Sequence, residues 1–341
     1  MLAVTFQEPG RVEVEERPDP ELLAAGDAIV RVEASGICGS DLHIYHGRVQ
    51  IEPGFTIGHE FVGTVEAAGP SVTSVAVGDR VLGCFHTACG ACWFCRKGLF
   101  QKCDEARVFG HGAGLGNLQG SQAQRVLVPH ANLAIRRVPE GLSDASALFA
   151  GDVMGTGYHA VVEAGIKPGD TVAVVGLGPV GLCAVIAARA AGAAHVIAID
   201  PVADRGATAE QLGATYAQDD PRGAVHEVTA GRGVDIAVDA VGHPDALDTA
   251  IRLARKGGTV SVIGVYAERQ QVHMGLVWIK NLTFVTGQAN VIKHLDPVLE
   301  LMTSKRIDIG PLVSREVPLT EAPEAYAAYA ERSELKIVLR P

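Results

Sequence analysis

At 341 residues the chain is longer than one ordinary hydrophobic core serves, so two domains are expected, and an interior of that size needs no disulfide staples. The formal net charge is -10, from 39 acidic against 29 basic residues with no Lys/Arg block, which excludes a phosphate-backbone binder: no nucleic-acid partner is expected. No apolar run reaches the ~18 residues of a membrane span, and "MLAVTFQEPGRVEVEE" has no basic-then-apolar leader pattern, so a cytoplasmic protein with reduced cysteines is expected.

In chain order, the first 150 residues read as short strands, "RVEVEE", "AIVRVEA", "FVGTVEAAG", "DRVLGC" and "AQRVLVP", separated by glycine, proline and aspartate. This predicts an irregular, mostly β domain with long loops. After "SALFAGDVMGTGYHAVVEAGIKPGD" the texture changes. "TVAVVG" leads into a helix "PVGLCAVIAARAAG", then "HVIAID", a helical "DRGATAEQLGA", "GVDIAVDAVG", a helix "PDALDTAIRLARKG", "GTVSVIGV" and "LTFVTGQ". Apolar strands alternating with helices predict an α/β domain whose parallel sheet is covered on both faces. A helix "VIKHLDPVLELMTS" follows Asn290, and the tail "LVSREVPL", "EAPEAYAAYAE", "LKIVLRP" fits neither a seventh sheet unit nor a linker.

"VVGLGPVG" supplies Gly176, Gly178, Pro179, Val180 and Gly181 in G-x-G-x-x-G spacing. The pattern is weak alone, but here a strand precedes it, a helix follows, and "VIAID" ends in Asp200, nineteen residues beyond Gly181. The first glycine permits the tight turn, the second lets backbone approach a pyrophosphate, and the third seats the helix against the strand. Asp200 is placed to accept the adenosine ribose hydroxyls, which favours NAD over NADP; Arg205, five residues on, clouds that preference.

Cys89, Cys92, Cys95 and Cys103 form C-x2-C-x2-C-x7-C, enough thiolates to close a tetrahedral zinc site with no open position. By spacing alone an iron–sulfur cluster or a redox Cys-x-x-Cys pair stays open. Cys38 in "SGICGSDLH" and His59 in "TIGHEF" would, taken singly, read as a small buried hydrophobe and an ordinary histidine.

The ordered set "GICGSDLH", "GHEFVGTV", "GDRV", the four-cysteine lobe, "GTGYHAV" and "VVGLGPVG" resembles zinc-containing medium-chain alcohol dehydrogenases over essentially the whole chain. The resemblance implies a GroES-like β catalytic domain, residues 1–152 and 290–341 with a structural zinc lobe at about 84–104, and an inserted Rossmann doubly wound domain, 153–289. It implies two zinc ions: a structural one on the four clustered cysteines, and a catalytic one on Cys38, His59 and Asp152. Aspartate departs from the Cys2His set of alcohol dehydrogenase and resembles bacterial secondary-alcohol and glutathione-independent formaldehyde dehydrogenases; read singly, Asp152 would be a turn residue or helix N-cap.

By the same resemblance Glu60 is the carboxylate that moves onto zinc during exchange, Ser40 bonds the substrate oxygen, and His43 is the relay base. Thr156, Val241, Val265 and the segment around Gly287 would flank the nicotinamide, and Lys336 would reach the pyrophosphate. Phe85, His86 and Phe109 would surround the alcohol carbon, with His86 bonding a hydroxylated substrate or pointing to water; the glycine-rich stretch after Phe109 would form a mobile rim. Cys84 and Cys183 match no ligand position. The expected activity is NAD-linked oxidation of a secondary or small primary alcohol to ketone or aldehyde, and the reverse. Polyol dehydrogenase, a formaldehyde dehydrogenase-like enzyme, and a non-catalytic zinc-binding protein are the alternatives. A homo-oligomer, tetramer or dimer, is expected, with "GLVWIKNLTFVTG" where subunits meet.

Overall fold

A computed structural model describes residues 1–266, 268–331 and 334–341. The chain packs into two compact units: residues 1–152, 290–303 and 309–341 form one, and 153–289 with 304–308 form the other.

In the first unit the main sheet has the order Arg315–Pro318, Ile337–Arg340, Ala28–Ile37, Phe61–Ala68, Arg80–Gly83, Ile135–Arg137, with Arg125–Val128 also paired to Ala28–Ile37. The C-terminal tail therefore belongs to the N-terminal sheet: Val338 pairs with Gly36, antiparallel, and Arg315–Pro318 extends that edge in parallel. This accounts for the tail's mismatch with the second unit. A smaller sheet joins Arg11–Glu16, Leu2–Glu8 and Phe55–Thr56. Between Ala28–Ile37 and the tail lies a core that includes Ile37, Ile57, Tyr326 and Ile44. Ile44 anchors the short helix Gly39–Tyr45; burying such a side chain contributes about 2–3 kcal/mol, which holds Ser40, Asp41 and His43 in place.

The second unit is a six-stranded parallel sheet. Its strands are, in chain order, Thr171–Val175, His195–Ile199, Thr215–Tyr216, Val234–Asp239, Ala254–Val262 and Thr283–Thr286. Across the sheet they run third, second, first, fourth, fifth, sixth, the doubly wound order. "TVAVV" is buried at every position, as a central strand covered on both faces must be, and helix Pro179–Ala190 follows with eight buried residues from Gly181 to Ala188. Strand order reverses between Thr171–Val175 and Val234–Asp239, which leaves a crevice at their carboxyl ends. Residues 304–308 group with this unit, where Arg306 donates to the Ala190 carbonyl at the end of that helix, 3.0 Å away.

Candidate active site

Three remote segments deliver the buried trio. Cys38 follows strand Ala28–Ile37 and caps helix Gly39–Tyr45; His59 precedes strand Phe61–Ala68; Asp152 follows helix Asp144–Ala150. Cys38 Sγ stands 3.4 Å from Asp152 Oδ2, and His59 Nε2 is 3.2 Å from the same oxygen. With a Glu60 carboxylate oxygen, all four donor atoms lie within 4.8 Å of one another, and all four residues are buried. The cluster gathers one thiol and two carboxyls round a single imidazole, with the Lys336 ammonium on Glu60. Burial pushes the Cys38 thiol up, and the Asp152 carboxylate adds to it. Burial pulls the His59 imidazole down, yet Asp41 and Asp152 outweigh it and hold its pKa well above normal. Burial also works against the Asp152 carboxylate, but His59 keeps it well below the usual range. A divalent cation bound by thiolate, imidazole and carboxylate would offset the negative charge these buried groups gather. The donor set fits zinc.

The four-cysteine lobe is a second such cluster. All four sulfurs lie within 4.8 Å of one another, and none of the seven cysteines forms a disulfide. Backbone N–H groups converge on them: Cys103 Sγ accepts from Cys89 at 3.2 Å and Glu105 at 3.3 Å, Cys89 Sγ from Ala91 and Cys92 at 3.4 Å, and Cys92 Sγ from Cys95 at 3.4 Å. The N–H groups of Cys95 and Asp104 bring the Cys92 thiol down to about 7. Burial pushes the Cys95 and Cys103 thiols up, so thiolates there call for a bound cation, and the four sulfurs fit a closed tetrahedral metal site.

In the second unit Gly176 takes φ +93°, and a Cβ on Gly181 would overlap the Gly176 carbonyl oxygen, so helix Pro179–Ala190 can seat only on glycine there. A Cβ on Gly178 would meet nothing within 4 Å, which leaves that backbone approachable by a ligand. Asp200 is buried at the end of its strand. Its Oδ2 accepts from Leu177 N–H at 2.7 Å and Oδ1 from Val202 N–H at 2.8 Å, tying it to the glycine turn, while the Arg205 guanidinium is 3.9 Å away. Each oxygen keeps a further lone pair for a hydroxyl donor. Val241 sits against Gly176 and the Gly242 backbone meets Val265, so both valines, exposed here, border the crevice at the strand reversal.

Residues 24–140 match the alcohol dehydrogenase GroES-like domain and residues 179–304 the zinc-binding dehydrogenase domain. The uncharacterized zinc-type alcohol dehydrogenase-like protein AdhB of Bacillus subtilis is 35% identical, with all of both chains covered. Alcohol dehydrogenase TADH from Thermus sp. ATN1 superposes with a TM-score of 0.95 at 41% identity, covering 100% of this chain and 99% of its own. The chain belongs to the zinc-containing medium-chain dehydrogenase family. A further member, a zinc-binding dehydrogenase from Sinorhizobium meliloti solved with NADP, is 31% identical at a TM-score of 0.87, with 100% of this chain and 99% of that one covered.

For a medium-chain dehydrogenase centre, the surroundings of the trio are specific. Ser40 Oγ lies 3.3 Å from His59 Nε2, on the same helix as half-buried His43, whose pKa burial and then Arg48 hold below normal. Asp41, which sequence reasoning missed, is fully buried: its Oδ1 is 3.2 Å from His59 Nδ1, and its Oδ2 accepts from Cys38 N–H at 2.9 Å. Gln122 extends the chain of contacts, donating to Asp41 Oδ2 at 3.4 Å and to the Gly36 carbonyl at 2.9 Å, and accepting from the Tyr326 hydroxyl at 2.8 Å. The spacing of Cys38 and Asp41 as N-cap and third helical residue was the available signal.

Three expectations are corrected. Lys336 does not face a pyrophosphate: it is fully buried, its Nζ ion-paired with Glu60 and 5.7 Å from the centre of the Phe149 ring. The apolar strand it enters carries it inward, where only a carboxylate partner makes an ammonium tolerable. Phe109 is a core residue, closed to solvent and packed edge-on to Phe61 at 5.3 Å. His86 is sealed as well; its Nε2 is buried without a hydrogen bond among the described residues, and burial brings its pKa down to about 4. Of that trio only Phe85 stands against the metal cluster, its ring 6.4 Å from that of His59. Thr156 lies part-buried in helix Val153–Val162, and Cys84 and Cys183 are buried packing residues. Residues 108–120 close on themselves through backbone bonds, including Val108 to Leu115 and Gly110 to Leu118, both 2.9 Å.

Proposed function

We propose that this family member oxidises an alcohol, secondary or small primary, to a ketone or aldehyde with hydride transfer to NAD, and catalyses the reverse reduction. The observation that carries the reading is the convergence of Cys38, His59 and Asp152 on one buried point from three distant segments. These residues would hold the catalytic zinc, and Cys89, Cys92, Cys95 and Cys103 a structural one. Zinc, when bound, supplies Lewis acidity that favours the alkoxide and polarises the carbonyl in the reverse direction. One thiolate, one imidazole and one carboxylate offset its two positive charges, so the site does not over-stabilise an anionic substrate.

The chain's own residues handle the proton. Ser40 takes it from the substrate hydroxyl, and His43, three residues along the same helix, receives it and passes it to solvent; a neutral imidazole suits that step near pH 7. Asp41, its Oδ1 3.2 Å from His59 Nδ1, supplies the negative charge behind that ring. Residues 1–152 and 290–341 then serve as the catalytic domain and 153–289 as the dinucleotide-binding domain, with Thr156, Val241, Val265 and the segment around Gly287 beside the nicotinamide. Glu60, whose carboxylate oxygen lies within 4.8 Å of the trio's donor atoms, would be the carboxylate available for exchange onto the metal. The exposed apolar residues Met274, Trp278 and Ile279 support a homo-oligomer, tetramer or dimer, in the cytoplasm. Among the described residues no helix is long and apolar enough to cross a membrane.

Metal analysis of the purified enzyme is expected to return two zinc ions per chain; iron with a visible chromophore, or one ion, overturns the assignment. A panel of primary, secondary and polyhydroxy alcohols with each cofactor tests the reaction. Asp200→Gly removes a charged acceptor of ribose hydroxyls and should erode the NAD-over-NADP ratio of kcat/KM by roughly 10- to 100-fold. An unchanged ratio would assign selectivity to other residues.

A further inference from the structure

We propose that His111 is a specificity-determining residue, its Nε2 accepting a hydrogen bond from a second hydroxyl on the carbon next to the one oxidised, so that the favoured substrates are vicinal hydroxy alcohols. The inference rests on the alcohol dehydrogenase reading above and narrows its substrate class.

The imidazole stands at the metal cluster: the His111 and His59 ring centres are 5.2 Å apart, edge to face at 65°. Its orientation is fixed by its own loop. His111 Nδ1 is 2.8 Å from the Phe109 carbonyl oxygen, and a carbonyl only accepts, so Nδ1 carries a proton and Nε2 is the nitrogen left for a ligand. No described residue hydrogen-bonds to that Nε2. The ring is only part-buried, whereas Phe109, two residues before it, is closed to solvent.

The backbone holds it there. Gly110 adopts φ +69°, and a Cβ on it would lie 2.6 Å from both N and O of Gly58, the residue before His59. Ser121 N–H donates to the Gly58 carbonyl at 2.9 Å and Gln122 N–H to that of Ile57 at 3.1 Å, so the returning strand of the loop is fastened to the same segment. The acceptor is thus preorganised against a metal ligand rather than carried on a free loop.

The chemistry follows from reach. One hydroxyl directed to Cys38, His59, Asp152 and Ser40 leaves a neighbouring hydroxyl one bond away along the carbon chain. A hydrogen bond of about 2.8 Å would join that group to the imidazole packed against the His59 ring. A simple alcohol would instead set a carbon against Nε2 and leave the acceptor unpaired, and a site built around a substrate hydroxyl rejects the analogue that lacks it.

The test compares matched pairs, 2-butanol with 2,3-butanediol and 2-propanol with 1,2-propanediol, on wild type, His111→Phe and His111→Gln. Wild type should favour the diols in kcat/KM by about 10-fold or more. His111→Phe should lower diol kcat/KM by roughly 10- to 100-fold, with mono-alcohols within about threefold and zinc content unchanged. His111→Gln, which keeps an acceptor, should retain part of the preference. An unchanged diol-to-alcohol ratio, or equal losses on both members of a pair, overturns the inference and leaves the alcohol dehydrogenase reading standing. Wild type that oxidises neither member overturns both.

Discussion

Replacing Asp152 by alanine is expected to lower kcat/KM by roughly 10^3-fold or more and to reduce the zinc content from two ions to one, without unfolding the enzyme. The rate figure corresponds to several kcal/mol of Lewis-acid stabilisation lost with the catalytic ion. The metal figure follows from the two clusters being separate. Asp152 Oδ2 is the atom shared by the contacts to Cys38 and His59, so its removal leaves a thiol and an imidazole with Glu60 engaged by Lys336, too few to hold zinc tightly. The four cysteines of the lobe are gathered by their own turns, so the ion they would hold should stay bound. Asp152→Asn preserves shape but not charge, and should fall between wild type and alanine in zinc affinity. Full activity with two zinc ions in Asp152→Ala would remove Asp152 from the ligand set. Glu60, the other carboxylate within 4.8 Å, would then be the group to replace next.

How much of this was readable in the chain differs by unit. The second unit is written locally. "TVAVV" is all apolar, the glycines follow it at once, and the helix after them is apolar over most of its length, so strand, turn and helix announce themselves within about twenty residues. The four cysteines are equally local. The catalytic trio is different: no spacing relates Cys38, His59 and Asp152, which come from 114 residues of separation at the widest, and resemblance alone joined them. Pairing of the tail with Gly36 was also invisible, because a short strand carries no mark of which edge it will take. Phe109 and His86 were misplaced for a related reason. An aromatic or histidine near a site in sequence turns toward it or into the core according to the local backbone, and Phe109 leads directly into the left-handed Gly110. The same turns bring His111 to His59, which no periodicity foretells.

Lys336 gives the second large effect, and it separates two roles that the sequence alone confounds. In "LKIVLRP" the three residues after it, Ile337, Val338 and Leu339, are fully buried, and so is Lys336 itself. Burial raises the Glu60 carboxyl to about 7 against the pull of Lys336; for Lys336, burial pulls the ammonium down and Glu60 more than restores it. Each charge is thus tolerated because of the other. Glu60 Oε2 has no hydrogen bond among the described residues, so the ammonium on its other oxygen is the principal compensation for that carboxylate. Lys336→Met therefore strands a buried acid and should cost about 3–5 kcal/mol, lowering the thermal midpoint by roughly 10 °C at the few degrees per kcal/mol of a domain this size. Adding Glu60→Gln should recover most of the loss, because a neutral pair needs no counter-charge. KM for NAD should stay within about twofold in the folded single variant, since binding energy changes by less than 0.5 kcal/mol when no contact is lost. A pyrophosphate-binding lysine would behave in the opposite way: a KM raised tenfold or more, a midpoint hardly moved, and no rescue by Glu60→Gln. Differential scanning calorimetry and cofactor titration on the same three proteins decide between them.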